Sequence, residues 1–203
     1  MKLLTKGSLI LASASPRRME LLAGWGLSFN SVPSGVDESL RHGETPRKYV
    51  KRISLAKAAA VAEIYPDAWV LGADTIVSID NQILGKPDDK GSAEKMMRLL
   101  SGRKHDVFTG FSLVRKTGAL LEQGVVRSAV VFREVSDEEI SWYVHSDEPY
   151  DKAGGYAIQG RGSLFIREIR GSHSNVMGLP LSELFDTLKK ISVVHFEGKQ
   201  GGQ

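Results

Sequence analysis

The sequence predicts an α/β fold built on a mixed sheet with flanking helices. Three observations predict it. Short apolar strand-like runs alternate along the chain with segments of helical periodicity. Two long strand-like segments, residues 105–115 and 120–132, flank Lys116-Thr117-Gly118, a hairpin signal that argues against a purely parallel sheet. The chain has 203 residues, 41% apolar and 25% charged, an ordinary globular composition. At that length it can bury roughly 70% of its unfolded surface.

The elements follow in order. Residues 9–13 read as a buried first strand, and Pro16 opens a short helix to residue 24 behind Ser15, a good N-cap. Residues 28–33 form a strand, and a polar loop leads to Glu44. A long helix spans residues 46–65. Residues 68–79 are very apolar and extended, and they end at the turn Asp80-Asn81. A helix spans residues 90–101. Residues 136–146 form a helix with a capping box, Ser136 and Glu139. Residues 162–169 form a strand, and a last helix covers residues 180–191 after Gly178. Residues 1–196 read as a single domain, and the polar, Gly-rich residues 197–203 as a flexible tail.

Composition excludes several classes. There is no cysteine, hence no disulfide scaffold, thiolate zinc site or cysteine nucleophile. The 27 Lys plus Arg and 24 Asp plus Glu leave a net charge of +3, with no basic run of the kind nucleic-acid binders show. The uninterrupted apolar run near the start covers only residues 9–12, short of a signal peptide or a spanning helix. The expectation is a mature cytoplasmic protein with no membrane or nucleic-acid partner. His42, His105, His145, His173 and His195 show no metal-ligand spacing, and no G-x-S-x-G elbow is present.

Several places carry chemistry. Ser13, Ser15, Arg17 and Arg18 surround the start of the first helix. Helix N-termini bind anions, and two arginines there oppose the helix dipole, so a nearby phosphate would make sense of them. Spacing alone leaves a capped helix with solvated arginines equally open. In the helix 46–65, Tyr49, Ile53, Ala56, Ala60, Val61 and Ile64 share one face, and Lys57 lies within it. A lysine there must snorkel out or meet an anion, and a partner anion is the preferred reading. Asp74 interrupts the apolar run 68–79, where an aspartate costs desolvation unless it is paired, metal-bound or at a bend. The loop acids Asp37 and Glu38 gain meaning only if the fold brings them to Asp74, where a carboxylate pair could hold a hard divalent cation. Lys86 sits in a turn before a helix and is a phosphate-contact candidate. Residues 151–162 hold four glycines in nine residues, which suits close backbone approach or tight turns. They match neither a P-loop nor a dinucleotide fingerprint. Gln159 offers both a donor and an acceptor, as base-edge recognition needs.

In order, Ser13-Ala14-Ser15-Pro16-Arg17-Arg18-Met19-Glu20-Leu21-Leu22, Val36-Asp37-Glu38, Lys57-Ala58, Gly72-Ala73-Asp74-Thr75, Leu84-Gly85-Lys86-Pro87, Asp151-Lys152-Ala153-Gly154 and Tyr156-Ala157-Ile158-Gln159-Gly160 resemble the motifs of the Maf family of nucleotide pyrophosphatases. The resemblance covers about residues 8–190. It implies a fold like that of inosine triphosphate pyrophosphatases, with a cleft between two lobes. It implies house-cleaning hydrolysis of nucleoside triphosphates to the monophosphate and pyrophosphate, with a divalent cation (magnesium, manganese or cobalt). By resemblance Asp74 matches the proton acceptor, and Arg17, Thr75 and Gln159 match positions that mark the dTTP/UTP branch. Ser13, Ser15, Arg18, Lys57 and Lys86 would bind substrate, and Asp37, Glu38 and Asp74 would face the metal. Which of Asp37 and Glu38 does so stays open. A homodimer is compatible with the family. The alternatives are a 7-methyl-GTP pyrophosphatase and a nucleotide-binding regulator of cell division and septum formation.

Overall fold

The computed structural model describes residues 1–115 and 120–197. The hairpin turn Lys116-Thr117-Gly118 and residues 198–203 of the tail lie outside them. In chain order the elements are β1 (Leu3–Thr5), β2 (Leu9–Leu11), α1 (Pro16–Ala23), β3 (Asn30–Ser31), α2 (Pro46–Ile64), β4 (Trp69–Ile79), β5 (Gln82–Leu84) and α3 (Lys90–Leu100). Then come β6 (Lys104–Val114), β7 (Leu120–Phe132), α4 (Asp137–Val144), β8 (Ile166–Arg170), α5 (His173–Met177), α6 (Leu181–Lys190) and β9 (Val194–Phe196).

The apolar run ending at Ile79 becomes the central strand β4. Among the described residues the main sheet is mixed and seven-stranded, in the order β3-β2-β4-β6-β7-β8, with β5 added to β4. The β2 pairings with β3 and β4 are parallel, and the others are antiparallel. β1 and β9 form a separate antiparallel ribbon. β6 holds one edge of β4 from Val70 to Ser78. The other edge is shared by two short strands: β2 covers Trp69 to Leu71, and β5 covers Val77 to Ile79. Residues 72–76 therefore face a gap in the ladder, roughly 16 Å long at the usual rise per strand residue.

The helix α2 lies unusually close to this sheet. A Cβ on Gly72 would sit 2.2 Å from the Ser54 carbonyl oxygen, and one on Gly110 would sit 2.4 Å from that of Val50. Only glycine lets the backbones meet there. This groove also sets the rotation of α2. The buried face runs through Tyr49, Val50, Ile53, Ser54, Lys57, Ala58, Val61 and Ala62, not through Ala56, Ala60 and Ile64 as periodicity predicted. Ile64 is 66% exposed. Two main cores flank the gap. Leu71 and Ala73 join one with Leu9, Leu22 and Leu184, and Val77 and Ile79 join the other with Met97, Phe132 and Tyr143.

Most predicted elements form within a residue or two, and the Ser136/Glu139 capping box is present. Four differ. Residues 28–33 pair only at Asn30–Ser31. Ser15 is at the N-cap of α1, but its side chain makes no capping bond. The strand expected from Gly162 starts only at Ile166, because Arg161–Phe165 first turns as a 3₁₀ helix. The last helix is preceded by the unpredicted α5, and Gly178 with φ +122° ends α5 and does not cap α6.

Two predictions follow from the packing. Gly72→Ala must push α2 off β4, and we expect a loss of roughly 3 kcal/mol in urea unfolding. Gly85→Ala, where an added Cβ meets nothing within 4 Å, should stay within about 0.5 kcal/mol. Equal effects would count against the close approach. The second prediction concerns His105, which is 2% exposed, with Nε2 2.8 Å from the Tyr156 hydroxyl. Burial lowers its pKa from 6.5 to about 4. The unfolded imidazole thus takes its proton first as the pH falls. Stability should drop across that window, by about 3 kcal/mol from this group once the pH is below 4. His105→Gln should show a smaller drop in urea midpoint between pH 7 and pH 4.

Candidate active site

A cavity of about 830 Å³ opens at the gap along β4. Strand alternation divides its functional groups. Gly72, Asp74 and Ile76 point toward α2, and Thr75 points to the opposite face with Ala73 and Val77. One strand segment thus serves the site from both faces of the sheet.

On the α2 face, Lys57 donates to Asp74 Oδ1 at 2.8 Å and sits 2.9 Å from Glu38 Oε1. Lys57 does meet an anion, as its place on the buried face predicted. The partners are two protein carboxylates. Asp74 is 5% exposed, and its Oδ2 is buried without a hydrogen-bond partner. Burial raises the Asp74 pKa above the ordinary carboxylate value, while Lys57 and Arg18 oppose the rise. The loop acids separate clearly. Tyr49 donates its hydroxyl to the Glu38 carbonyl at 2.7 Å, and the Glu38 side chain reaches Lys57. The Tyr49 hydroxyl is pushed up to about 12 by its own burial and by the nearby charges of Asp74 and Glu38. Asp37 also lines the cavity, but its carboxylate accepts from the Ser39 amide at 2.9 Å and the Ser39 hydroxyl at 2.8 Å. Those bonds hold Asp37 below its usual pKa.

On the opposite face, Arg18 is buried and knitted into the frame. Its Nε donates to the Gly178 carbonyl at 2.8 Å, Nη2 to Thr75 Oγ1 at 3.0 Å and Nη1 to Ser13 Oγ at 3.4 Å. Burial lowers the Arg18 pKa, and the charges of Asp74 and Glu38 work against that shift. Thr75 also lies 2.9 Å from Thr109 Oγ1, which donates to the Asn175 carbonyl. Ser13 Oγ accepts from the Ser15 amide at 3.1 Å, so Ser13 shapes the turn into α1.

The remaining residues lie at the rim. Ser15 and Lys86 line the cavity. Arg17 also lines it and forms a 3.3 Å ion pair with Asp151 across its mouth. Burial works against the Asp151 charge, but Lys152 and Arg17 outweigh it and keep the carboxyl below its ordinary pKa. Gln159 is different: it is exposed and not among the lining residues, whereas its neighbours Ala157 and Ile158 are. Sequence reasoning missed Tyr49, Asn175 and the Gly178 carbonyl as parts of the site. Their contributions pass through backbone groups or partners far along the chain, which no local pattern announces.

The arrangement suits an anionic substrate. Lys57, Arg17, Arg18, Lys86 and Lys152 gather cationic groups around one opening, with a buried carboxylate oxygen left free between them. The Maf-like protein family model matches residues 8–191. A dTTP/UTP pyrophosphatase of Syntrophus aciditrophicus is 57% identical over 192 residues, covering 95% of this chain and 94% of that protein. The dTTP/UTP pyrophosphatase of Symbiobacterium thermophilum is 48% identical over 195 residues, covering 95% and 98%. A solved nucleoside-triphosphatase, or dITP/XTP pyrophosphatase, of Mycobacterium abscessus aligns over 92% of this chain and 94% of its own, with a TM-score of 0.44 and 14% identity.

The Lys57 contact gives a direct test. Lys57→Met leaves Asp74 buried and removes its nearest cation. Its carboxyl should then titrate at a higher pH than in the unaltered chain, as followed by carboxyl carbon NMR. A midpoint that stays put or falls would mean that Lys57 does not set the Asp74 charge.

Proposed function

The chain belongs to the Maf-like protein family, and on that premise we propose that it is a nucleoside triphosphate pyrophosphatase. It hydrolyses dTTP and UTP to the monophosphate and pyrophosphate. The observation that carries the mechanism is the buried Asp74, with one oxygen on Lys57 and the other unpartnered beside a cation-lined cavity.

The triphosphate brings about four negative charges, so positioning and neutralisation do most of the work. Lys57, Lys86 and Arg17 draw the phosphates in, with Ser13 and Ser15 at the start of α1. Arg18 is already committed to Gly178 and Thr75, and it contributes charge from a fixed place. A water attacks the α-phosphorus. The Asp74 carboxylate accepts its proton as the new P–O bond forms. The bond from the α-phosphorus to the bridging oxygen breaks, and pyrophosphate leaves with that oxygen. A raised pKa makes Asp74 a stronger base than an exposed aspartate.

A divalent cation fits this donor set. Asp74 and Glu38 are two close carboxylates, and Asp74 Oδ2 is an orphaned buried oxygen. Among the described residues no group of three His, Cys, Asp or Glu is placed to hold a metal unaided. Glu38 and Asp74 would hold magnesium, manganese or cobalt, hard cations that take oxygen ligands. Such an ion supplies charge neutralisation on the triphosphate when bound. Asp37, tied to Ser39, is the less available acid.

Specificity for dTTP and UTP is assigned to Arg17, Thr75 and Gln159. Arg17 at the rim and Thr75 beside Arg18 support it through their place at the cavity. Gln159 needs its loop to turn its amide inward. The reading takes residues 1–196 as one catalytic domain working in the cytoplasm, where its substrates are made. No helix among the described residues is long and apolar enough to cross a membrane. A homodimer is part of the proposal.

Pyrophosphate release from dTTP, UTP, CTP, dATP, GTP and 7-methyl-GTP, with and without manganese, tests it. We expect release favouring dTTP and UTP. Asp74→Asn should bind dTTP and lose turnover by at least about 100-fold. Turnover of 7-methyl-GTP alone would overturn the substrate and keep the mechanism. Binding without turnover of any nucleotide would favour the regulatory reading.

A further inference from the structure

The wall of the cavity at residues 156–158 is held by a residue that does not line the cavity. Glu148 lies just after α4, half-buried. Its Oε1 accepts from the Gly162 amide at 2.8 Å and from the Tyr143 hydroxyl at 3.0 Å. Its Oε2 accepts from the Arg161 amide at 2.9 Å. Its backbone carbonyl accepts from Lys152 Nζ at 2.8 Å. One residue thus fastens α4, the segment after Pro149 and the loop after Gln159.

The surrounding glycines are shaped to this anchor. Gly160 has φ +83°, and a Cβ there would sit 2.5 Å from Glu148 Oε2. A Cβ on Gly162 would sit 2.6 Å from the Ala157 carbonyl oxygen and 3.0 Å from the Tyr143 hydroxyl. The loop 157–162 therefore folds back on itself over the carboxylate. Its other end is fixed by Tyr156, whose hydroxyl meets the buried His105. Between these fixed points lie Ala157 and Ile158, which line the cavity, and Gln159. This stretch differs chemically from the Lys57 side. At the cavity it presents the apolar side chains of Ala157 and Ile158 and their backbone groups, which suit a flat heterocycle better than phosphates.

We propose that Glu148 is the positioning residue for nucleobase discrimination. It holds residues 157–159 in place through the Arg161 and Gly162 amides and touches no substrate. This inference rests on the reading of the cavity as a nucleoside triphosphate site. A displacement of about 1 Å in such a wall is enough to change recognition strongly. Lys152 holds the Glu148 backbone carbonyl, which a side-chain change leaves in place, and Lys57, Lys86, Arg17, Ser13 and Ser15 belong to other elements and should not feel it.

The test is Glu148→Gln, which removes the charge and one of the two carboxylate acceptors. Affinities for dTTP, GTP and inorganic tripolyphosphate are measured by calorimetry, alongside hydrogen exchange of the Arg161 and Gly162 amides. We expect faster exchange at both amides and roughly tenfold weaker dTTP binding. The preference for dTTP over GTP should fall by at least about fivefold, with tripolyphosphate affinity unchanged within about twofold. In turnover the loss should appear in KM more than in kcat. Tyr143→Phe, which removes one of the three side-chain bonds, should move the preference the same way by less, and it serves if Glu148→Gln fails to fold. Equal weakening of all three ligands, or unchanged preference with the amides released, would overturn the proposal and leave Glu148 a structural anchor. If the unaltered chain bound tripolyphosphate and no nucleotide, the nucleotide-site reading itself would fail, and the amide exchange would still show whether Glu148 holds the loop.

Discussion

The site depends on how closely α2 can lie on β4. Lys57 reaches Asp74 because Gly72 and Gly110 let the helix backbone settle onto the sheet. A single methyl group at either glycine would separate the two layers. Lys57 would then lose the geometry with which it opposes the burial-driven rise of the Asp74 pKa. The same contact fixes the rotation of α2, so packing and electrostatics are set together. Breaking such a buried pair by removing one partner is costly, because the other charge stays behind without compensation.

The second constraint is the interruption along the free edge of β4. β2 and β5 are each too short to cover residues 72–76. A continuous neighbour would fill the edge with another strand and close the cavity. The open stretch gives access to side chains on both faces, Asp74 with Lys57 on one and Thr75 with Arg18 on the other. Arg18 in turn ties α1 to the Gly178 carbonyl at the end of α5. Asp74, Lys57 and Arg18 are therefore held on strand and helix, which keep geometry better than loops, while Ser13, Ser15 and Lys86 stand on the turns between elements.

The sequence revealed those parts whose anomaly is local. A lysine inside an apolar helical face and an aspartate inside an apolar strand are each visible in one element, and the two turn out to be each other's partners. The alternation of strands and helices was equally plain. What was hidden depends on distant backbone. Asp37 and Glu38 are neighbours of the same charge, and only the Ser39 turn and the Tyr49 hydroxyl tie one to Ser39 and direct the other to Lys57. The strand expected from Gly162 was delayed because a carboxylate fourteen residues earlier takes its amide. Gln159 was singled out for its amide chemistry, yet the loop leaves it exposed.

The two sides of the cavity illustrate different solutions to one problem. Binding a triphosphate needs several cations close together, and those cations repel each other when no substrate is present. Here the repulsion is offset internally. Glu38 and Asp74 sit on Lys57, and Asp151 sits on Arg17. On the proposed reading, an entering triphosphate would compete with these carboxylates and not meet bare charges, which would lower its affinity and leave the cations free to strengthen their hold as charge moves in the reaction. The cost falls on Asp74, whose burial resists ionisation even with a lysine beside it. A carboxylate held in that state gains stability by taking a proton, and that is the tendency a general base requires.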